Sequence, residues 1–549
     1  MKKYISIAIA LLLAAAANAQ ERVYVSTDKE CYLAGEPLWF TVYCMEGDGT
    51  DFSNVSKVAY LEFHTEEDVI STVKVALKDG RGCGRFQIPL SVPTGNCSIV
   101  AYTKQDGGES AGEFNGKVVT IFNTLSSARV AKGVEVVSSE APVKGNGVPR
   151  AGSNILSVDV RKDDASIEGA FPVIIKNLSN KDLKFSVSVY HFDELNSLVG
   201  EWGYNSTSLM ERKGNFAKGN GIDYAGEVIK VKVTPKGDAK GTMKDKVVYM
   251  SALGNTDDIY VASADEQGIV TYYTNNIYGT RDLVFEVVGD TSRAYDMEIL
   301  KQEYKHKTTA VPVLKISPKM KHALEQRSID MQIAKRFEAD TIFNLMEMRE
   351  NSFIGSVQPQ VYNLDEYTRF PVMEEVIREY VKDLRVRREG KDTVLRILWD
   401  ARAKALVLLD GVPILDHSVI VKLDPLLVKQ IVVYPRRYIL NNLVCAGIVK
   451  FNTYKNDLGG VKLGRNVSIE SHRGVEYPLA FLGDGVLGME NYPNFNGTIY
   501  WNPVAGVNAG ETFEFYCAKP QYKGKFKMVV EGIDSQGKEI SFTTTFNIE

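Results

Sequence analysis

Few of the side chains that could do chemistry in this 549-residue sequence are spaced to do it together. The six histidines, His64, His191, His306, His322, His417 and His472, fall in separate segments, and none pairs at the i, i+4 spacing by which two imidazoles on one helix face hold zinc. No Cys-x-x-Cys and no Gly-x-x-x-x-Gly-Lys is present, so neither a thiolate metal knuckle nor a phosphate-cradling loop is expected. Adjacent acids such as Glu374-Glu375 and Asp257-Asp258 point apart and read as solvated surface, not as a converging acid/base pair. One serine stands in a chemical pattern: Gly108-Glu109-Ser110-Ala111-Gly112 matches the nucleophile elbow of esterases. An elbow needs a strand before it and a helix after it, so that the serine is held exposed on a strained turn. Here strand-forming residues 117–122 follow, so Ser110 is expected in a hairpin loop, and a hydrolase using Ser110 stands only as a further alternative. No catalytic residue, no cofactor and no metal is expected.

Residues 1–19 read as an export signal. Lys2 and Lys3 precede an apolar run at 5–17 broken only by Ser6, and Ala17-Asn18-Ala19 supplies a small-x-small cleavage pattern before Gln20. No later stretch approaches the 18 or so apolar residues of a membrane-spanning helix, so no transmembrane segment is expected after signal cleavage. Export makes disulfides permissible. Cys31, Cys44, Cys83 and Cys97 lie close in sequence, Cys445 and Cys517 far away. Bridges within the first domain and buried free thiols are both open, because six cysteines allow 15 pairings and sequence does not choose. Charge is nearly balanced, Lys+Arg 65 against Asp+Glu 69, so no nucleic acid partner is expected.

The elements that would position any site are mostly strands, given 27 tyrosines, 23 phenylalanines and 45 glycines. Residues 20–125 read as one β-sandwich, with strands at 23–25, 38–43, 59–64, 69–77, 84–89, 97–103 and 118–123 between turn residues. Residues 126–152, with Pro142 and Pro149, read as a linker. Segments 153–222 and 223–292 are expected to be a second and a third sandwich, with Asp265-Glu266-Gln267-Gly268 as a hairpin turn. A helical linker region, 293–369, contains a helix opening at Ser317-Pro318 with Met320, Leu324, Met331 and Ala334 on one face. A second helix follows Pro371, its stripe of Met373, Val376, Ile377, Tyr380, Val381 and Leu384 spaced to pack on a sheet. Residues 461–549 read as a last sandwich-like domain, in which Tyr500-Trp501-Asn502-Pro503 is expected to form an aromatic corner and not a sugar-stacking patch.

Residues 370–460 form an expected α/β domain around the stretch 404–455. Residues 405–409 are an unbroken apolar run, as a strand buried on both faces requires. Asp410-Gly411 turns the chain, Pro413 prevents the strand from simply resuming, and Asp424-Pro425 is a helix or turn start. A second buried strand spans 430–434. In 447–453 Val449, Phe451 and Thr453 alternate with Lys450 and Asn452, which suits an edge strand. The series Val407-Leu408-Leu409-Asp410-Gly411-Val412-Pro413, then Pro425, Ile431-Val432-Val433 and Gly447-Ile448-Val449, resembles the plug domain of TonB-dependent outer-membrane receptors. The usual Tyr-Gly-x-x-Ala before the last strand is replaced by Tyr438-Ile439-Leu440-Asn441-Asn442. Residues 454–549 are too few for a barrel of about 22 strands of 9–11 residues, so an isolated plug-like unit is expected.

Tyr24-Val25-Ser26-Thr27-Asp28-Lys29 followed by Tyr32-x-x-Gly35-Glu36-x-Leu38-Trp39-Phe40 resembles the opening of macroglobulin-type domains, the sandwiches of complement and protease-trapping proteins. Gly82-Cys83-Gly84 matches the start of their thioester motif, but Arg85-Phe86 replaces the Glu-Gln that would close the thioester. With Asp365-Glu366-Tyr367-Thr368-Arg369-Phe370-Pro371 and the Met373-Glu374-Glu375-Val376 after it, the chain is similar to a family of exported Gram-negative proteins in which a macroglobulin-type front end leads into an isolated plug-like domain. The expected fold is therefore mainly β and multidomain: macroglobulin- or immunoglobulin-like sandwiches in series plus a small α/β plug-like domain. The resemblance implies a location in the periplasm or at the outer membrane. The expected function is non-enzymatic binding or scaffolding through protein–protein contacts, with another envelope protein or a second copy of the chain as partner. The expected docking edge is Val449, Lys450, Phe451 and Asn452. A protease-trapping macroglobulin relative without a thioester is the alternative.

Overall fold

The computed structural model describes residues 21–47, 51–65, 69–105, 113–114, 116–125, 130–131, 134–137, 154–163, 169–199, 222–237, 242–254, 258–275, 277–289, 293–300, 307–308, 311, 313–337, 343–345, 354, 357–400, 403–440, 443–481, 495–521, 523–534, 536 and 538–549. The expected signal peptide, the pattern 108–112 with Ser110 and most of the linker 126–152 lie outside the described residues. The fold is mainly β, with many separate sheets. The chain divides into two compact units: Met1–Tyr224, Glu303–Met348 and Glu476–Glu549 form one, Ala225–Gln302 and Arg349–Val475 the other.

In the first unit, strands with one apolar face must find a second sheet to cover it. Arg22–Thr27, Pro37–Met45 and Arg81–Gln87 make a three-stranded sheet. It packs on a five-stranded sheet in the order Cys31–Leu33, Lys117–Phe122, Gly95–Tyr102, Val58–His64, Val69–Ala76. Phe40, Val42, Leu61, Phe63, Phe86 and Ile99 fill the space between them. A second sandwich places Leu156–Val160, Ala170–Asn177 and Thr512–Ala518 against Thr498–Val507, Leu183–His191, Gly524–Asp534 and Glu539–Ile548. The segments expected as separate second and C-terminal domains are thus halves of one sandwich. Strand Leu183–His191 pairs on both sides with strands more than 300 residues later. Tyr500 and Trp501 are buried, Tyr500 stacked on Phe515 at 4.0 Å between centroids, which removes them as a sugar platform. Two helices among the described residues complete the unit. Helix α1 is Glu194–Val199 and α2 is Met320–Arg336, which starts beyond Ser317-Pro318 and buries Met320, Ala323 and Ala334.

The second unit repeats the interleaving. Ile269–Tyr273, Val228–Pro235 and Tyr295–Ile299 face Ile259–Ser263, Val247–Ala252, Thr280–Val287 and Val467–Arg473, the last strand again supplied from far along the chain. The expected hairpin turn at Asp265 is present: its Oδ1 accepts from Gln267 N and Ile269 N at 2.8 and 2.9 Å. The α/β part is a five-stranded sheet in the order Gln360–Asn363, Val428–Tyr434, Ile448–Thr453, Leu406–Leu409, Val412–Pro413. Helix α3, Met373–Tyr380, lays Met373, Val376 and Ile377 on one face of it, and helix α4, Ser418–Val421, packs beside it.

The expected docking edge is not an edge. Ile448–Thr453 lies between Leu406–Leu409, parallel to it, and Val428–Tyr434, antiparallel. Val449 and Phe451 are fully buried, and Lys450 and Asn452 are buried as well. The alternation that suggested an edge strand has another cause. Asn452 Nδ2 donates to Gln430 Oε1 at 3.2 Å and Gln430 Nε2 to Asn363 Oδ1 at 2.8 Å, so an amide ladder runs across three strands, although the Asn452 Oδ1 acceptor stays buried without a partner. Edge docking through Val449, Lys450, Phe451 and Asn452 is therefore withdrawn.

Gly447 precedes this central strand, and a Cβ built there would lie 2.3 Å from Ile397 Cδ1 and 2.5 Å from Tyr434 O. Because Tyr434 O is backbone, Gly447→Ala should lower stability by about 1–3 kcal/mol, read as a lowered urea midpoint with unchanged slope. His417, buried with Nδ1 accepting from Leu395 N at 2.9 Å, is pushed down to about 4 by burial, with Lys404 adding to the effect. The unfolded chain binds this proton near 6.5, so between pH 6.5 and about 4 the unfolded state holds more protons. Stability from neutral His417 is complete above that window, is lost as pH falls through it, and totals at most about 3 kcal/mol. Glu286, pushed up to about 7 by burial, acts oppositely as pH rises. The His417 part is therefore the pH-dependent difference between wild type and His417→Gln in urea denaturation. A constant difference from pH 4 to 7 would show that His417 does not titrate with folding.

Candidate functional site

The opening motif of the first sandwich does more than set strands. Asp28 ends the first strand in a turn and is almost completely buried. Its Oδ1 accepts from Tyr32 Oη at 2.7 Å and Trp39 N at 3.0 Å, its Oδ2 from Thr498 Oγ1 at 2.6 Å, and its carbonyl from Ser188 Oγ. Burial still raises the carboxyl above its ordinary value, against the pull of Lys29 and these donors. Lys29 Nζ meets Glu36 Oε2 at 2.8 Å and lies over the Tyr32 ring. Tyr32, Gly35, Glu36 and Trp39 belong to the same motif, and Gly35 has φ +98°, a left-handed turn that favours glycine.

This corner floors a cleft of about 680 Å³. One wall is Trp39 with Arg85 over its ring at 5.4 Å, followed by Ile88, Pro89 and Leu90. The other wall is α2, which presents Gln326, Asp330 and Met331. Phe495–Thr498 closes one end; residues 191–194 lead into α1 beside it. Volume and mixed lining fall in the range of ligand sites.

Helix α2 is held on this wall by packing of Met320 and Ala323 on Leu33, Phe122 and Leu195, and by the reach of Arg327. Arg327 Nε donates to Asp193 Oδ2 at 2.9 Å, Nη2 to Asn196 Oδ1 at 3.0 Å, and Nη1 to Cys31 O at 3.1 Å. The carboxylate of Asp193 keeps the guanidinium firmly charged in spite of burial. Cys31 is pushed up to about 12 by burial, Arg327 notwithstanding, so it stays a neutral thiol. All six cysteines are free and five are buried, so the free-thiol alternative is the one found. Burial raises Cys83 to about 11 and Cys97 to about 12, which leaves neither poised as a nucleophile.

The residues singled out in the plug-like motif gather elsewhere, in the second unit. Asp410 and Gly411 form a two-residue hairpin turn with φ +47° and +81°, and Pro413 ends the returning strand. Pro425 opens a 3₁₀ turn capped by Asp424, whose Oδ1 accepts from Leu426 N at 2.9 Å. The Asp410 carboxylate is fully buried and accepts from Thr453 N and Thr453 Oγ1 at 2.7 Å and from Leu458 N at 2.8 Å. No described group of three or more His, Cys, Asp or Glu side chains is placed to hold a metal ion. No described helix is long and apolar enough to cross a membrane. The cleft was not singled out in the sequence: its residues carried a fold signature, and their convergence with 191–194, 322–335 and 495–498 left no local mark.

No family model and no curated protein matches the chain. Solved structures that match it include bacterial alpha-2-macroglobulins. The native conformation of the E. coli protein is 8% identical with a TM-score of 0.16, over 97% of this chain and 22% of that one. The Salmonella protein reacted with methylamine is 7% identical with a TM-score of 0.24, over 96% and 39%. The trypsin-activated E. coli protein is 7% identical with a TM-score of 0.23, over 96% and 41%. The chain spans less than half the length of these proteins, and likeness at these scores carries no functional argument.

The Asp410 geometry sets a test. Replacing this carboxylate by Ala strips the acceptor from two buried backbone N–H groups, each left unsatisfied at about 1–3 kcal/mol. Asp410→Ala should destabilise the protein by about 3 kcal/mol in urea denaturation; a loss below about 1 kcal/mol would show that water or a rearranged loop replaces the clamp.

Proposed function

We propose that the chain is a non-catalytic, exported binding protein that receives segments of other envelope proteins in the cleft of its first unit. One observation carries this reading. The charged groups on the floor of the cleft are held by partners within the chain, Lys29 by Glu36, Arg327 by Asp193 and Asn196, and Asp28 by three donors, while Ile88, Pro89, Leu90 and Met331 give the mixed walls beside them an apolar part. Groups held this way fix a shape; they are not free to move protons on a substrate. Export to the periplasm or outer membrane is supported by the signal at 1–19. The plug-like unit acts in this reading as a folded partner domain, not as part of a receptor.

Leu90 is exposed, and Met331 is half-buried at the margin of the cluster of Cys31, Leu33 and Met320, so Leu90→Ser alone serves where the double variant with Met331→Gln melts lower than wild type. A tagged Leu90→Ser/Met331→Gln variant, compared with wild type in cross-linked pull-downs from solubilised envelopes, should lose the partner that wild type retains. A folded variant that keeps the whole set of wild-type partners overturns the cleft as the binding site. The alternative of a protease trap without a thioester is favoured by the macroglobulin-type opening motif folding into a sandwich. It makes a separate prediction: trypsin or elastase incubated with the chain should remain bound to it after cleavage. Free protease beside a cleaved chain removes that alternative.

A further inference from the structure

The cleft's charges are unevenly committed, and the imbalance points to a ligand class. Its cations are engaged or peripheral: Lys29 is held by Glu36, Arg327 by Asp193 and Asn196, and Arg85 by Gln87 and the Trp39 ring. Lys335 is exposed in the last turn of α2, and His322 is exposed in its first. Between them, one turn beyond Arg327, Asp330 faces the cleft half-buried, with a side-chain hydrogen bond from Gln326 Nε2 at 2.9 Å. Glu194, at the start of α1, lines the same cleft and is exposed. Arg327 binds Asp193, the neighbour of Glu194, which ties the two helices together, and Asp330 and Glu194 both line the cleft. Burial pushes the Asp330 carboxyl up, and the hydrogen bond from Gln326 and the nearby Arg327 charge offset this only in part.

Resting on the binding role proposed above, we infer that the cleft selects extended protein segments bearing lysine or arginine side chains. The cationic head pairs with Asp330 and Glu194, and the aliphatic stem lies along Met331 and Leu90, as long basic side chains do on apolar surface. A cation there restores what burial took from Asp330, whereas an acidic segment would add a like charge to the cleft.

The test uses the mature full-length chain and three labelled, end-blocked ten-residue peptides alternating Leu with Lys, Glu or Gln, followed by fluorescence anisotropy. At low salt the Leu/Lys peptide should bind at least tenfold tighter than the Leu/Glu peptide, and the advantage should shrink at high salt. Asp330→Asn/Glu194→Gln should weaken Leu/Lys binding at least fivefold and reduce its advantage over the Leu/Gln peptide. Glu194→Gln alone, at an exposed position, serves where the double variant does not fold. Equal or tighter binding of Leu/Glu, or Leu/Lys binding indifferent to these variants, overturns the charge assignment. In that case the cleft itself survives if Leu90→Ser/Met331→Gln abolishes binding of every peptide. Binding by none of the three peptides overturns both readings.

Discussion

The Asp28 carboxylate is the interaction on which the first unit depends. A carboxylate removed from water is tolerated only where charged or hydrogen-bonding groups surround it, and here its donors come from three places in the sequence. Tyr32 and the Trp39 backbone belong to the first sandwich; Thr498 begins a strand of the second. The residue is therefore satisfied only when both sandwiches are formed and joined. Nearby contacts reinforce the seam, Ser26 donating to Glu531 at 2.6 Å and Tyr43 to the Glu531 carbonyl at 3.0 Å. Folding of the sandwiches and construction of the cleft floor become one event, because they share these groups.

The cleft wall follows from a second commitment. Helix α2 has a weak apolar stripe, with only Met320, Ala323 and Ala334 buried, so packing alone would fix its rotation poorly. Arg327 supplies the missing constraint. Its planar fork reaches a carboxylate, an amide and a carbonyl at once, which a lysine ammonium on a flexible stem would not reproduce. Once Arg327 is seated, helix periodicity leaves Gln326, Asp330 and Met331 to face the cleft. Arg327, together with the packing of Met320, Ala323, Leu324 and Met331, thus sets which side chains line the cleft.

What could be read in the sequence was local. The apolar run at 405–409, the Asp410-Gly411 turn, the stripe beginning at Met373 and the strands of the first sandwich all carry short-range patterns that periodicity or turn chemistry explains. Pairing over long distances left no such trace. Nothing in residues 467–473 marks them as partners of 280–287, and nothing in 498–548 names 183–191, because a strand's alternation records that a face is buried and not by what. The polar residues of 448–453 misled for a related reason. Alternation cannot distinguish water from a ladder of amides, and Asn363, Gln430 and Asn452 form such a ladder.

The same long-range pairing explains how a preorganised cleft arises without a dedicated domain. Loop closure costs entropy only as the logarithm of loop length, roughly 0.6 kcal/mol per doubling, so segments hundreds of residues apart converge for little more than near ones. Asp28 and Thr498, or Asp193 and Arg327, can therefore meet as firmly as neighbours, provided each sits in or directly beside a rigid element. They do: residue 28 directly follows a strand, 498 begins one, 193 directly precedes α1 and 327 lies within α2. The ordering entropy of the cleft is met by the burial that drives both sandwiches together, so little remains to be lost when a ligand enters. A shape fixed in advance in this way suits the binding role proposed for the cleft, because the ordering is complete before a partner arrives.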